Sequence, residues 1–254
     1  MKLTADNYFS QEAQMEYMSA SQFKAFDKCE AAALAEIKSE YVREKTTALM
    51  VGSYVDAYFS NEMEQFRAEN PDIFKRDGTL KSEYIQAEEI IQRIERDDMF
   101  RRYMSGKHQV IMTGDICGVP VKIKMDSYHP GRAIVDLKIM RDFQDVWVDG
   151  RGKLTFVEAF GYDIQGAMYR AIEGNNLPFI IAAATKERVP DIAIISIPDD
   201  VLDASMDYIS SKIRRFADIK SGTIEPERCG RCDYCKETKK LDCIIDYRDL
   251  TERW

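Results

Sequence analysis

In the stretch KIKMDSYHPGRAIVDLKIM, two aspartates and a lysine are spaced so that they can share one site. The turn signal at His129–Arg132 folds Asp136 back towards Asp126. Asp136 and Lys138, two residues apart, project from one face of a strand. The two carboxylates are hard oxygen ligands for Mg²⁺ or Mn²⁺, and the Leu137 carbonyl adds another oxygen. A cation held there can bind a scissile phosphate and lower the pKa of a bound water. A lysine beside it can orient that water or stabilise charge developing on phosphorus. The same residues also suit a plain surface ion pair on an edge strand. The apolar flanks AIV and LKI place Asp136 in an interior strand instead, where an unpaired charge is costly.

A second group suits softer chemistry. Four of the six cysteines, Cys229, Cys232, Cys235 and Cys243, follow the pattern C-x2-C-x2-C-x7-C. Thiolates at two-residue gaps can wrap one metal centre, either an iron–sulfur cluster or tetrahedral Zn²⁺; free, reduced thiols on a polar tail are the plain alternative. In an intracellular protein such clustering points away from a disulfide framework. Cys117, inside an expected strand beside Gly118, reads as a small apolar residue.

The elements that must position these groups follow from periodicity. Ser19 caps an expected helix from Ala20 into EAAALAEIK, and TTALMVGSYVDAYFSNEMEQF is a second apolar-periodic segment. A third helix runs from Ser82 to about Met104, with Ile85, Ile90, Ile91 and Ile94 on its buried side. The period then changes to two. Three strands, at roughly 108–113, 118–127 and 132–139, are joined by turns at TGD and HPGR as an antiparallel meander. A helix over 157–173 ends near Gly174. FIIAAATK and DIAIISIP are strands, and a helix capped by Asp199 or Asp200 follows. The expected fold class is α/β (α+β): a central mixed β-sheet with an antiparallel meander, flanked by helices. Residues 1–254 then form a single domain, with N-terminal helices over 19–104 and a Cys-rich tail over 223–254.

Hydrophobic residues make up 45% of the 254, enough for a real core. No apolar run approaches a membrane span, and MKLTADNYFSQEAQ has no signal-peptide shape, so a cytoplasmic protein without a membrane partner is expected. The net charge of −8 argues against a coat protein living on phosphate contacts. It leaves room for a nuclease, whose metal-binding carboxylates add negative charge. No Walker A pattern is present, so the chain carries no ATP motor.

Taken in order, these segments resemble the PD-(D/E)XK nuclease superfamily, in the branch that contains the RecB nuclease domain, lambda exonuclease and the RecE-type phage exonucleases. The pair MDSY and VDLK carries the resemblance first. LMVGSYVDAYF resembles that branch's Gly-x-x-x-His motif, with Gly52 in place and Asp56 where many members have His. YDIQGAMYRAI resembles its Gln-x-x-x-Tyr motif at Gln165 and Tyr169, and SASQFKAFDKCEAAAL resembles the N-terminal helix of members with a cysteine there, here Cys29. The resemblance implies a restriction-endonuclease-like core, with Asp126, Asp136, Lys138, Gln165 and Tyr169 as catalytic groups. Asp56, Asp126, Asp136 and Leu137 would hold Mg²⁺ or Mn²⁺. It also implies that Cys29 joins C-terminal cysteines around a [4Fe–4S] cluster, with Zn²⁺ as the alternative. The first choice of ligands is Cys29, Cys229, Cys232 and either Cys235 or Cys243. Glu158, Lys186, Glu187, Lys122 and Lys124 are lesser candidates for the pocket or for phosphate contacts, and His129 reads as a turn residue. The implied activity is a metal-dependent DNA exonuclease of phage or prophage recombination or DNA repair, acting on duplex ends or single strands. Its implied partners are a single-strand annealing protein and further copies of the chain. An endonuclease or CRISPR-associated nuclease of the same superfamily, or a non-catalytic nucleic-acid-binding module, is the alternative.

Overall fold

The computed structural model describes residues 1–44, 46–241 and 243–250, so Asp242 and residues 251–254 of the expected tail lie outside the described residues. Its elements are α1 (Gln11–Glu16), α2 (Ala20–Lys28), α3 (Glu30–Ile37), α4 (Thr47–Phe59), α5 (Met63–Glu69), α6 (Ser82–Glu95), α7 (Asp98–Met104), β1 (Lys107–Ile116), β2 (Val119–His129), β3 (Ala133–Met140), β4 (Val146–Val148), β5 (Gly152–Leu154), α8 (Phe156–Ala159), α9 (Tyr162–Glu173), β6 (Phe179–Thr185), β7 (Ile192–Ser196), α10 (Asp199–Ser221) and α11 (Asp233–Glu237). The chain divides into two compact units. One comprises Met1–Arg43, Thr113–Lys122 and Asp207–Trp254, the other Glu44–Met112 and Ile123–Met206.

Local chemistry breaks several segments that periodicity alone reads as continuous. Ser19 does cap α2, accepting the Gln22 N–H, but Cys29 is extended (φ −164°, ψ 107°) and separates α2 from α3. The segment after Thr46 breaks at Asn61, whose φ is +60°, and continues as α5. The third expected helix breaks because the Asp97 carboxylate accepts the Phe100 N–H and caps a new helix, α7. Along α6, Tyr84, Ala87, Ile91 and Ile94 set the buried face, which leaves Ile85 exposed rather than in the core. The fourth expected helix is two, α8 and α9, divided at Gly161 (φ +63°). Thr155 and Glu158 form a capping box on α8, which engages the Glu158 carboxylate with the Thr155 backbone N–H and hydroxyl.

The hairpin also differs from expectation. TGD lies within β1, and the turn falls at Cys117 and Gly118, with φ of +53° and +80°. Two positive φ angles suit a two-residue hairpin turn. Cys117 is therefore an exposed turn residue and not strand packing. His129 ends β2 rather than sitting in the next turn, and its Nε2 lies 2.8 Å from the Tyr103 carbonyl oxygen.

The main sheet has the order β1-β2-β3-β6-β7, with β4 and β5 as a separate hairpin. β3 runs antiparallel to β2 and parallel to β6, and β6 is antiparallel to β7, so the sheet is mixed. Every residue of β6 is buried, as the apolar run FIIAAA suits a strand with neighbours on both sides. Alternation divides β3. Val135 and Leu137 join a core with α4, α6 and α7, while Asp136 and Lys138 project from the opposite face, where α9 lies.

Gly166 lets α9 approach the sheet. A Cβ there would lie 2.7 Å from Phe179 Cδ1 and 2.9 Å from Leu202 Cδ2, and both side chains are fully buried. Gly166→Ala is expected to destabilise the fold by about 1–3 kcal/mol through overpacking, read as a lowered Tm. An unchanged Tm would show that the contact is not tight.

Candidate active site

β2 and β3 pair at Ser127↔Val135, Tyr128↔Ile134 and His129↔Ala133. Residues opposite each other point the same way, so alternation turns both Asp126 and Asp136 to the other face, next to the end of the paired stretch. The Leu137 N–H donates to Asp126 Oδ2 at 2.9 Å and ties the Asp126 side chain to β3. A strand residue sends its N–H and carbonyl to the same side, so the Leu137 carbonyl faces β2 as well.

Asp136 is 2% exposed. Its Oδ1 accepts from Gln165 Nε2 at 2.6 Å, and its Oδ2 lies 2.5 Å from Lys138 Nζ. Burial pulls the Lys138 pKa down, but the Asp136 and Asp126 carboxylates outweigh it and hold the ammonium above its usual value. Burial, then repulsion from Asp136 and Asp56, pushes Asp126 well above the ordinary carboxylate range. Burial raises Asp56 too, with Asp136 adding to the rise and Lys124 and Lys138 opposing it. Three carboxylates sharing one electrostatic environment repel one another. Carboxylate oxygens are hard donors and a divalent cation among them would relieve the repulsion, but the three are not gathered within 4.8 Å of one another as the sulfurs of Cys29, Cys229, Cys232 and Cys235 are.

The other motif residues come to the same region by different contacts. Gly52 carries α4 past β3, where an added Cβ would meet Ile139 at 4.0 Å, and Asp56 follows one turn later. Tyr169, one turn after Gln165 on α9, donates its hydroxyl to the Lys124 carbonyl at 2.9 Å. It thus braces β2 two residues before Asp126. Lys122 does not reach a phosphate: it is buried, and its Nζ donates to the Tyr8 carbonyl at 2.5 Å. Lys186 donates to the Ala48 carbonyl at 3.2 Å, and Glu187 accepts from the Thr185 hydroxyl.

Two neighbours escaped the sequence reading. Tyr162 places its ring 5.2 Å from Lys138 Nζ, a cation–π contact. Its signal was available in the spacing 162, 165, 169 along one helix face. Gln109 on β1 places Nε2 2.6 Å from Ser60 Oγ and 3.4 Å from Asp56 Oδ1; no sequence spacing announces it.

The cysteines gather separately, within the unit that contains both termini. The sulfurs of Cys29, Cys229, Cys232 and Cys235 all lie within 4.8 Å of one another, the one group of three or more Cys, His, Asp or Glu ligand atoms gathered so closely among the described residues. Cys29 Sγ is 3.6 Å and Cys229 Sγ 3.9 Å from Cys235 Sγ. Cys243 is exposed and stands outside the group. Burial pushes the Cys229 thiol up, but the backbone N–H groups of Cys232 and Arg231 outweigh it and lower its pKa to about 6. Burial raises the Cys29 thiol and, with hydrogen bonds among the sulfurs, pushes Cys232 up to about 12, so a bound metal is what would turn all four into ligating thiolates. Four thiolates suit either an iron–sulfur cluster or one tetrahedral ion. The observed spacing is near the roughly 3.8 Å edge of a tetrahedron with Zn–S bonds of about 2.3 Å.

No curated protein matches the chain significantly. The solved crystal structure of a "putative exonuclease" from Eubacterium rectale matches with 48% sequence identity and a TM-score of 0.94, over 99% of this chain and 98% of that one. Residues 19–238 match the model of a family described as a PDDEXK-like domain of unknown function, DUF3799. With that match over most of its length, and with the mixed sheet and flanking helices of the fold, the chain belongs to this PDDEXK-like family.

Proposed function

We propose that the protein is a metal-dependent DNA exonuclease, acting on duplex ends or single strands in phage or prophage recombination or in DNA repair. The observation that carries the reading is the arrangement around Asp136, buried between Lys138 and Gln165 with Asp126 tied to the neighbouring Leu137. Asp126, Asp136, the Leu137 carbonyl and Asp56 would hold Mg²⁺ or Mn²⁺. The cation, when bound, supplies Lewis-acid polarisation of the scissile phosphate. Lys138 stays protonated and faces the charge that develops on phosphorus. Gln165 fixes the Asp136 rotamer, and Tyr169 holds the strand that carries Asp126. The name of the E. rectale protein favours an exonuclease over an endonuclease. The family match takes in sequence from both compact units, which supports reading the chain as one nuclease domain. Among the described residues no helix is long and apolar enough to cross a membrane. A single-strand annealing protein and further copies of the chain are the partners this activity suggests.

For the cysteine group we propose a structural metal centre on Cys29, Cys229, Cys232 and Cys235. The family resemblance favours a [4Fe–4S] cluster, and the sulfur spacing favours a single Zn²⁺.

End-labelled linear duplex DNA and the same DNA closed into a circle, each incubated with Mg²⁺ or Mn²⁺, test the activity. Digestion of the linear form alone is expected. Equal digestion of the circle would select an endonuclease. Binding without hydrolysis, undiminished by loss of Asp136, would select a non-catalytic binding module.

A further inference from the structure

Gln109 sits in β1 with φ +52°. The other non-glycine residues with positive φ, Ser39, Asn61, Cys117 and Asn176, lie outside strands and helices; Gln109 is the one within a strand among the described residues. A strand residue ordinarily has φ near −120° to −140°. Glutamine has neither the freedom of glycine nor the short side chain that lets asparagine occupy this region. Reversal of φ at one strand position re-aims the side chain, as β-bulges do beside functional sites.

The reversal aims the Gln109 amide at the last turn of α4. Its Nε2 donates to the Ser60 hydroxyl at 2.6 Å and approaches the Asp56 carboxylate at 3.4 Å, while its Oε1 is buried without a hydrogen-bond partner. A strained backbone and an unpaired buried oxygen both lower stability. Neither is needed to close a strand over a helix. We propose that Gln109 is a positioning residue for metal binding: its amide holds Asp56, the residue at the histidine position of the motif, in the orientation that serves the Asp126–Asp136 site. The inference rests on reading Asp56 as part of that metal site. It adds a group from β1, an element that none of the sequence motifs touches.

Gln109→Gly tests it, because glycine adopts the observed φ freely while losing the amide together with its two methylenes. Mn²⁺ binding, followed by isothermal titration calorimetry, is expected to weaken roughly ten- to a hundredfold, the usual cost of losing a group that orients a ligand. The Tm without metal should hold or rise, since strain is released. Cleavage by the variant should climb towards the wild-type rate as Mn²⁺ is raised, a metal dependence that a merely structural residue would not show. Gln109→Asn tolerates the same backbone but is one methylene shorter, and should lose affinity similarly. Unchanged Mn²⁺ affinity in both variants overturns the proposal while leaving the metal site intact. A wild-type protein that binds no Mn²⁺ overturns the metal site itself, and this inference with it.

Discussion

Asp136→Asn is expected to lower DNA cleavage at least about a thousandfold while the protein remains folded. The substitution keeps the side-chain volume and one oxygen for Gln165, whose Nε2 reaches Asp136 Oδ1 at 2.6 Å. It removes the negative charge that a divalent cation requires and that Lys138 meets at 2.5 Å. Metal-derived stabilisation of the reacting phosphate is worth several kcal/mol, and each 1.36 kcal/mol is about tenfold in rate, which sets the size of the loss. Stability is a balance of two effects. Lys138 loses its nearest counter-charge, a destabilising change. Against it, Asp126 and Asp56 lose a repulsive neighbour that raises both of their pKa values. The Tm without metal should therefore stay near that of the wild type. Mn²⁺ should raise the wild-type Tm by binding the folded state and leave the variant's unmoved. Cleavage within tenfold of wild type, at matched Mn²⁺, would remove Asp136 from the ligand set.

How much of this site could be read from the residues depended on whether a contact follows from spacing along one element. The period of two puts Asp136 and Lys138 on one face, and a short hairpin brings Asp126 beside them; both relations need no tertiary information. Gln165 was legible as a motif position, though only the packing of α9 on the sheet, allowed by Gly166, delivers its amide to Asp136. Tyr169 was legible as the second position of that motif, but not the contact it makes, a hydroxyl donated to the β2 backbone at Lys124. The fold class was legible because β6 carries the apolar run FIIAAA and β2 and β3 alternate. The helix breaks were not. Asp97 and Cys29 end helices through a cap and an extended backbone that amphipathic periodicity does not register. Gln109 was illegible for a deeper reason: its role depends on a backbone angle that its own residue type disfavours. The choice between Cys235 and Cys243 likewise turns on the path of the tail. α11 carries Cys235 inwards, to 3% exposure, and Cys243 remains outside.

Cys29→Ser is expected to lower the Tm by on the order of 10 °C, and a chelator that strips the centre should do the same to the wild type. Two hundred residues separate Cys29 from Cys229, so a centre that includes both closes a very long loop. A crosslink of that kind restricts the unfolded chain, by about 4–5 kcal/mol for a loop of a hundred residues or more. For a chain of this size each kcal/mol moves the Tm by roughly 2–4 °C. Part of the fold persists without the metal. Glu30, next to Cys29, accepts from Arg215 at 2.7 and 2.8 Å and from the Glu227 N–H at 2.7 Å, which ties the same helix to the start of the tail independently of sulfur. The variant should therefore fold, at reduced stability, instead of collapsing. Cys243→Ser is the matched control and should leave the Tm unchanged, because Cys243 lies outside the four-sulfur group. Metal analysis of protein purified without oxygen identifies the occupant. A brown protein with iron and sulfide selects the cluster, and a colourless one with a single zinc per chain selects the tetrahedral ion. Equal Tm values for Cys29→Ser, Cys243→Ser and wild type, with neither metal present, would show that these are four free thiols. Cleavage should survive chelation once Mg²⁺ or Mn²⁺ is restored, to the extent that the fold survives. The carboxylates of β2 and β3 are joined to each other and to α9 by contacts in which no cysteine takes part.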